Sequence, residues 1–148
     1  LWAKSEGVKY PDVVSLDFSH RMSRLVVKLV KGKDFSTELP DDISVLVHGT
    51  VTDALIDLGN GAVEKRRNAV THSITMRKDG PDTFSAIIVP QRIEKKQPLI
   101  EVLTGDVSYL LETRFVFKTG VQHNAVITLN ADPDKVRIDI GGEIEGWN

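Results

Sequence analysis

The sequence predicts an all-β fold, a single antiparallel β-sandwich. Three observations predict it. Apolar residues recur with a period of two rather than 3.6. The apolar runs are short and are separated by turn residues at intervals of roughly 8–15 residues. No segment carries a sustained helical stripe. At 148 residues, 41% of them apolar, the chain can form one core, since a fold of this size buries roughly 68–70% of its unfolded surface.

The first expected strand covers residues 13–19, where Val14, Leu16 and Phe18 alternate with Ser15, Asp17 and Ser19. Alternation of this kind gives one packed face and one wet face, the mark of an antiparallel sheet. Ser19–Arg24 reads as one turn, a bulge or a strand continuation. A strand over 24–31 carries Leu25, Val26, Val27, Leu29 and Val30, apolar on both faces. After Lys31-Gly32-Lys33 and Pro40-Asp41-Asp42, the strand over 43–48 places Ile43, Val45 and Val47 on one side. Strands over 54–58 and 62–65 flank Gly59-Asn60-Gly61. Asn and Gly both tolerate the positive φ of a type I′ hairpin, so Asn60-Gly61 is the sharpest hairpin signal.

A strand over 70–77 ends before Asp79-Gly80-Pro81-Asp82. The next, over 83–89, contains Ala86, Ile87, Ile88 and Val89, again apolar on both faces. Strands over 98–103 and 107–118 flank Thr104-Gly105-Asp106, and Phe115 and Phe117 share a face of the second. Thr119-Gly120 leads to 122–130, with Ala125, Ile127 and Leu129 in phase. Ala131-Asp132-Pro133-Asp134 precedes the last strand, 135–144. There Val136, Ile138 and Ile140 are expected to face the core, Gly141-Gly142 to permit a bulge or bend, and Ile144 to resume burial. Trp147 should then cover the end of the domain. The two strands apolar on both faces lie either centrally under covered faces or against another domain or subunit. The domain expected is 1–148, with 1–12 as a linker or lead-in segment, and no internal repeat or interdomain linker divides it.

Nineteen basic and 21 acidic residues leave a net charge of −2, with no basic excess to neutralise nucleic-acid phosphates. No apolar stretch reaches the roughly 18–20 residues of a membrane helix. The absence of cysteine removes thiol catalysis, thiolate metal sites and disulfides together. The chain opens Leu1-Trp2-Ala3, which reads as a processed product or an excised piece.

A search for chemistry finds no constellation. His20, His48, His72 and His123 are too far apart in sequence for a local zinc motif, and His20 falls in phase with Val14, Leu16 and Phe18. Gly59-Asn60-Gly61 is too short for a phosphate cradle. Asp132, Asp134 and Asp139 lack the glycine and terminal glutamate of a calcium loop. Glu101, Asp106 and Glu112 fall on successive strands or their turn, and a glycosidase would need two carboxyl groups about 5–10 Å apart. Trp2 and Trp147 stand at the ends, where they cap the sandwich, pack on a segment outside this sequence, or offer a face to a sugar. Lys65-Arg66-Arg67 and Lys95-Lys96 read as solvated loop charge. No catalytic, cofactor-binding or metal-binding residue is assigned, no cofactor is expected, and the chain reads as non-catalytic.

The order of these strands carries a resemblance. Asp17-Phe18-Ser19-His20-Arg21-Met22-Ser23-Arg24 through Leu29 resembles the early F-x-H-x-(hydrophobic)-S-K-(hydrophobic) strand of the fimbrillin-like family of Bacteroides-type bacteria. Asp57-Leu58-Gly59-Asn60-Gly61 is similar to its D-L-x-x-G hairpin, and Ala86-Ile87-Ile88-Val89-Pro90-Gln91 to its hydrophobic-V-P-Q strand end. Phe117–Gly120, Ile127–Asn130 and Ile144–Trp147 resemble its closing pattern. Val121-Gln122-His123-Asn124 departs from it, because the family often places aromatics there. Together the motifs cover most of residues 13–148 in order.

The resemblance implies a transthyretin-like sandwich with Greek-key connections, corresponding to the C-terminal domain of a two-domain lipoprotein precursor. It implies a structural or adhesive role at the cell surface, associated with the outer membrane in the parent protein. The partners implied are other fimbrial subunits or the parent's N-terminal domain, met through β-strand and hydrophobic contacts, with a host or glycan receptor as a further candidate. The alternative is a surface carbohydrate-binding module.

Overall fold

The computed structural model describes residues 1–35 and 38–147. Asn148, the last residue of the expected domain, lies outside the described residues. Eleven strands form: β1 Ser23–Lys31, β2 Ser44–Val51, β3 Ala54–Ile56, β4 Val63–Lys65, β5 Thr71–Thr75, β6 Arg77–Lys78, β7 Thr83–Ile88, β8 Gln91–Thr104, β9 Val107–Phe117, β10 Val121–Leu129 and β11 Arg137–Glu145. The one helical element among the described residues is a 3-10 turn, Pro133–Lys135.

The strands build a five-stranded sheet in the order β11-β10-β1-β7-β6 and a four-stranded sheet in the order β5-β2-β8-β9. The hairpin β3-β4 stands apart from both. The pairings are antiparallel with one exception: β1 and β10 run parallel, Arg24 opposite Gln122 and Lys31 opposite Leu129. Parallel neighbours need a long crossover, and the whole second sheet lies between these two in sequence.

The expected alternation produces the core. Leu25, Val27 and Leu29 of β1, Ala125, Ile127 and Leu129 of β10, and Phe84, Ala86 and Ile88 of β7 point inward from one sheet. Val45 and Val47 of β2, Ile100 and Val102 of β8, and Tyr109, Leu111 and Phe117 of β9 meet them from the other. Each strand contributes every second residue because successive side chains leave opposite faces of a strand.

Four expectations are corrected. Residues 13–18 form no strand and pair with no sheet among the described residues, and Ser19 makes only an isolated bridge to Trp2. Val14, Leu16 and Phe18 are therefore exposed, at 51%, 46% and 62%. Periodicity reports which residues could line one face; it does not supply the partner strand. Asn60-Gly61 sits in a six-residue loop, Asp57–Ala62, between β3 and β4, and only Gly61 of the pair takes a positive φ, 74°. Asp57 Oδ1 accepts from the Gly59 N–H and Asn60 Oδ1 from the Ala62 N–H, so local side-chain turns replace the type I′ geometry. In β11, Val136 just before it and Ile138 pack against the core, but Ile140 and Ile144 are exposed. The Gly141–Gly142 bulge opposite Asn124 re-aims the strand between them. Lys95 and Lys96 fall inside β8 rather than in a loop, with exposed side chains.

Candidate strand-docking surface

The two strands apolar on both faces lie at the centre of the five-stranded sheet. β1 is flanked by β10 and β7 along most of its length, and its outward residues Val26 and Val30 are half-buried. β7 is different. Its far side pairs with β6 only at Phe84 and Ser85. At Met76 the chain leaves this sheet: the Met76 N–H donates to the Val45 carbonyl, and the preceding Thr75 and Ile74 pair with Leu46 and Val47 in the other sheet. Beyond Ser85, no strand among the described residues pairs with that side of β7.

Ile74, Thr75, Ser85, Ala86, Ile87 and Trp147 line the groove this split leaves, about 480 Å³ in volume, and Arg24 and Arg77 complete its wall. Ile87 is 48% exposed beside it. Asp79 accepts from Ser85 Oγ at 2.5 Å and Arg77 Nε at 2.6 Å, and Arg24 approaches at 4.0 Å. The Ser85 hydroxyl, then Arg77, holds the Asp79 carboxyl below its ordinary value. The groove thus combines an open strand edge, an apolar floor and two guanidinium groups sharing one carboxylate.

Trp147 walls this groove, whereas Trp2 packs against the β3-β4 hairpin. Trp147 is buried, its ring stacked on His20 at 3.6 Å with an interplanar angle of 18°, and Arg24 lies 5.3 Å from the ring centroid. His20 thus has a packing role, although Val14, Leu16 and Phe18, which share its phase, are exposed. Trp2 is half-buried, Arg21 lies 4.7 Å from its ring centroid, and its Nε1 donates to the Leu58 carbonyl. Gly61 lies against the indole: a Cβ there would come within 2.4 Å of Trp2 Cδ2. Both rings cap structure, and neither is an open platform.

The remaining candidate residues separate. His123 is buried between Phe115 and Phe117 edges, its Nε2 accepts from the Lys118 N–H, and burial holds it below its ordinary value. His72 is exposed at the start of β5. Asp132 caps the 3-10 turn, accepting from the Asp134 N–H, while Asp139 stands on β11 opposite Val126. Asp106 is exposed in the turn between β8 and β9, and Glu112 is exposed on β9.

Glu101 is held elsewhere. Its Oε2 lies 2.7 Å from His48 Nε2, its Oε1 accepts from Ser108 Oγ at 2.6 Å, and His48 Nδ1 lies 2.6 Å from Ser73 Oγ. Ser108, then His48, keeps the Glu101 carboxyl below its ordinary value. Sequence reasoning named His48 and Glu101 separately and missed Ser73 and Ser108. The usable signal was Gly49 directly after an outward-facing histidine, a composition that favours a bulge.

A family model described as fimbrillin-like matches residues 1–147. The chain belongs to the fimbrillin-like family. The solved structures it resembles share the fold at low identity. A candidate cell adhesion protein from Bacteroides ovatus matches with a TM-score of 0.72 and 20% identity, over 91% of this chain and 48% of that one. One from Bacteroides uniformis gives 0.65 and 14%, over 91% and 54%. One from Bacteroides thetaiotaomicron gives 0.55 and 18%, over 78% and 49%. This fimbrillin-like chain therefore spans about half the length of the structures it matches. No curated protein matches it.

Proposed function

We propose that this fimbrillin-like chain is a single sandwich domain, with residues 1–12 as a linker or lead-in, that serves a structural or adhesive role at the cell surface. It joins neighbouring fimbrial subunits, or a preceding domain of its own parent, by strand addition. The observation that carries this reading is the coexistence of a β7 edge left unpaired among the described residues with an arm, residues 13–18, that joins no sheet and whose alternate apolar side chains are exposed. Open edges and unpartnered apolar strands are liabilities that proteins normally blunt with charge, proline or cover. In strand addition the backbone bonds supply affinity, and alternate side chains filling pockets supply register. Family membership and the adhesion proteins sharing the fold support the same role. Outer-membrane attachment through a lipoprotein precursor is part of the proposal.

The test is a double substitution, Leu16→Asp with Phe18→Asp, in the full-length parent expressed in its own cells. Both residues are exposed, so the melting temperature should stay within about 2 °C, while surface assembly and cell adherence fall. Unchanged fibres and adherence, with the variant present at the surface, would remove the arm from the assembly mechanism.

A further inference from the structure

The row Ser73–His48–Glu101–Ser108 crosses all four strands of the smaller sheet on its outer face. It is built by a bulge. Val47 pairs with Ile74 and Thr50 with His72, so His48 and Gly49 together stand opposite Ser73 alone. Gly49 takes φ 68°, which only glycine adopts without strain. Val45 and Val47 face the core, leaving His48 outward, while the bulge returns Thr50 and Val51 to the interior. Bulges that re-aim a side chain in this way concentrate beside functional sites.

The chemistry of the row has a direction. An ionised carboxylate only accepts hydrogen bonds, so the network assigns the ring proton to His48 Nε2, donating to Glu101. That leaves the Nδ1 lone pair facing the Ser73 hydroxyl, which donates to it at 2.6 Å. Ser108 occupies the second Glu101 oxygen and fixes the carboxylate. The roles are those of a nucleophile, a base and an orienting acid, with the two ring nitrogens exchanged relative to the serine-protease arrangement. Ser73 is exposed, whereas His48 and Glu101 side chains are only 24% and 22% exposed.

Beside this row lies a groove of about 520 Å³ whose lining includes Gly49, Thr71, Gln97, Lys65, Arg92 and Lys95. Gly49 directly follows His48, and Thr71 lies two residues before Ser73 on the same strand. A Cβ at Gly49 would fall 2.4 Å from Gln97 Nε2, so the amide reaches the bulge. Lys65, Arg92 and Lys95 outnumber the one carboxylate on the wall, Glu94, and the net positive lining favours an anionic occupant.

We propose that Ser73 is an activated acyl acceptor, with His48 as its base and Glu101 as the group that orients the ring, acting on carboxylic esters that carry a negative charge. Ser73 Oγ bonds to the acyl carbon, its proton passes to His48 Nδ1, and the alcohol leaves with that proton. Water then cleaves the acyl-serine ester, His48 again taking the proton, which returns to Ser73. A positioned base contributes roughly 10²–10⁴-fold, and that is the acceleration asked of this row.

The experiment exposes the intact protein to a fluorophosphonate and maps the adduct by mass spectrometry. Turnover of 4-nitrophenyl acetate is then compared with that of mono-4-nitrophenyl succinate. Ser73 should label at least 100-fold faster than Ser108 or any other serine. His48→Gln should abolish that advantage and Glu101→Gln should reduce it several-fold, both at unchanged melting temperature. The succinate should react faster than the acetate, and Lys95→Ala should narrow the difference. Equal labelling of all serines, or labelling of Ser73 that survives His48→Gln, would overturn the nucleophile. Equal turnover of the two esters with Ser73 labelling intact would overturn the anionic substrate class. If a His48 or Glu101 variant unfolds, Ser73→Ala decides the matter: ester turnover that persists in it excludes the site.

Discussion

Replacing Trp147 with alanine tests whether the chain end closes the sandwich or merely lies on it. The indole is 9% exposed, stacked on His20 and approached by Arg24. A large aromatic buries roughly 150–250 Å², which at about 25 cal/mol/Å² corresponds to roughly 4–6 kcal/mol as an upper bound. Measured losses for large aromatics truncated to alanine run about 3–5 kcal/mol. At 9% exposure the indole keeps an open flank on the groove, so the lower end applies, about 3 kcal/mol. With a urea slope of about 2 kcal/mol/M, the unfolding midpoint should fall by about 1.5 M at unchanged slope. Trp147→Phe supplies the contrast. It keeps a ring on His20 and deletes a buried Nε1–H that has no hydrogen-bond partner among the described residues. Its cost should stay below about 1 kcal/mol. A midpoint shift under about 0.5 M for the alanine variant would refute the reasoning and leave Trp147 as an ornament of the surface. A phenylalanine variant as damaged as the alanine one would show that the indole nitrogen, not the ring area, carries the contact.

Gly61→Ala meets both a positive φ and the Trp2 indole. It should cost at least the roughly 1–2 kcal/mol of a left-handed residue and red-shift the tryptophan emission as Trp2 leaves the β3-β4 hairpin. An unmoved spectrum would contradict the contact. Leu29→Ala, at 1% exposure in β1, should destabilise by about 2–5 kcal/mol, whereas Ile87→Ala at 48% exposure should stay within about 1 kcal/mol in chemical denaturation. Comparable losses would mean that the outer face of β7 is packed. Burial holds His123 below its ordinary value of 6.5, so the unfolded chain takes up that proton first as the pH falls. Its contribution is complete above about pH 6.5 and is lost as the pH drops through the folded-state value. His123→Gln should flatten that part of the stability–pH curve, and a parallel curve would assign the dependence elsewhere.

Where a strand's partner lies beside it in sequence or its apolar face meets the core, the sequence was enough. Val45 and Val47, or Ala125, Ile127 and Leu129, alternate because one face is packed, and the same alternation reads directly as a strand. The Gly141–Gly142 bulge was legible too, since two adjacent residues without Cβ leave few other uses. Residues 13–19 show the limit: Val14, Leu16 and Phe18 satisfy the period, yet no strand among the described residues takes them up. The parallel register of β1 with β10 was invisible because period two is shared by parallel and antiparallel neighbours. The Ser73–His48 pair was invisible for a different reason. It depends on a register slip at Gly49 that brings residues 25 apart to hydrogen-bonding distance, and a slip is a property of two strands at once.

The parallel pairing of β1 with β10 has a consequence for synthesis. Arg24 and Gln122 hydrogen-bond across 98 residues of sequence, which a ribosome takes roughly 5–20 s to add. Throughout that interval Leu25, Val27 and Leu29 have emerged while one flank of their strand has no mate. β7 appears earlier and covers only the other flank. Long-range pairing of this kind folds slowly, on the order of milliseconds to seconds even for a complete chain. A nascent chain halted before Val121 would therefore display an apolar edge in the centre of an unfinished sheet, the state most prone to aggregation. The domain's chain order therefore leaves one flank of β1 without its mate until Leu129 has been delivered.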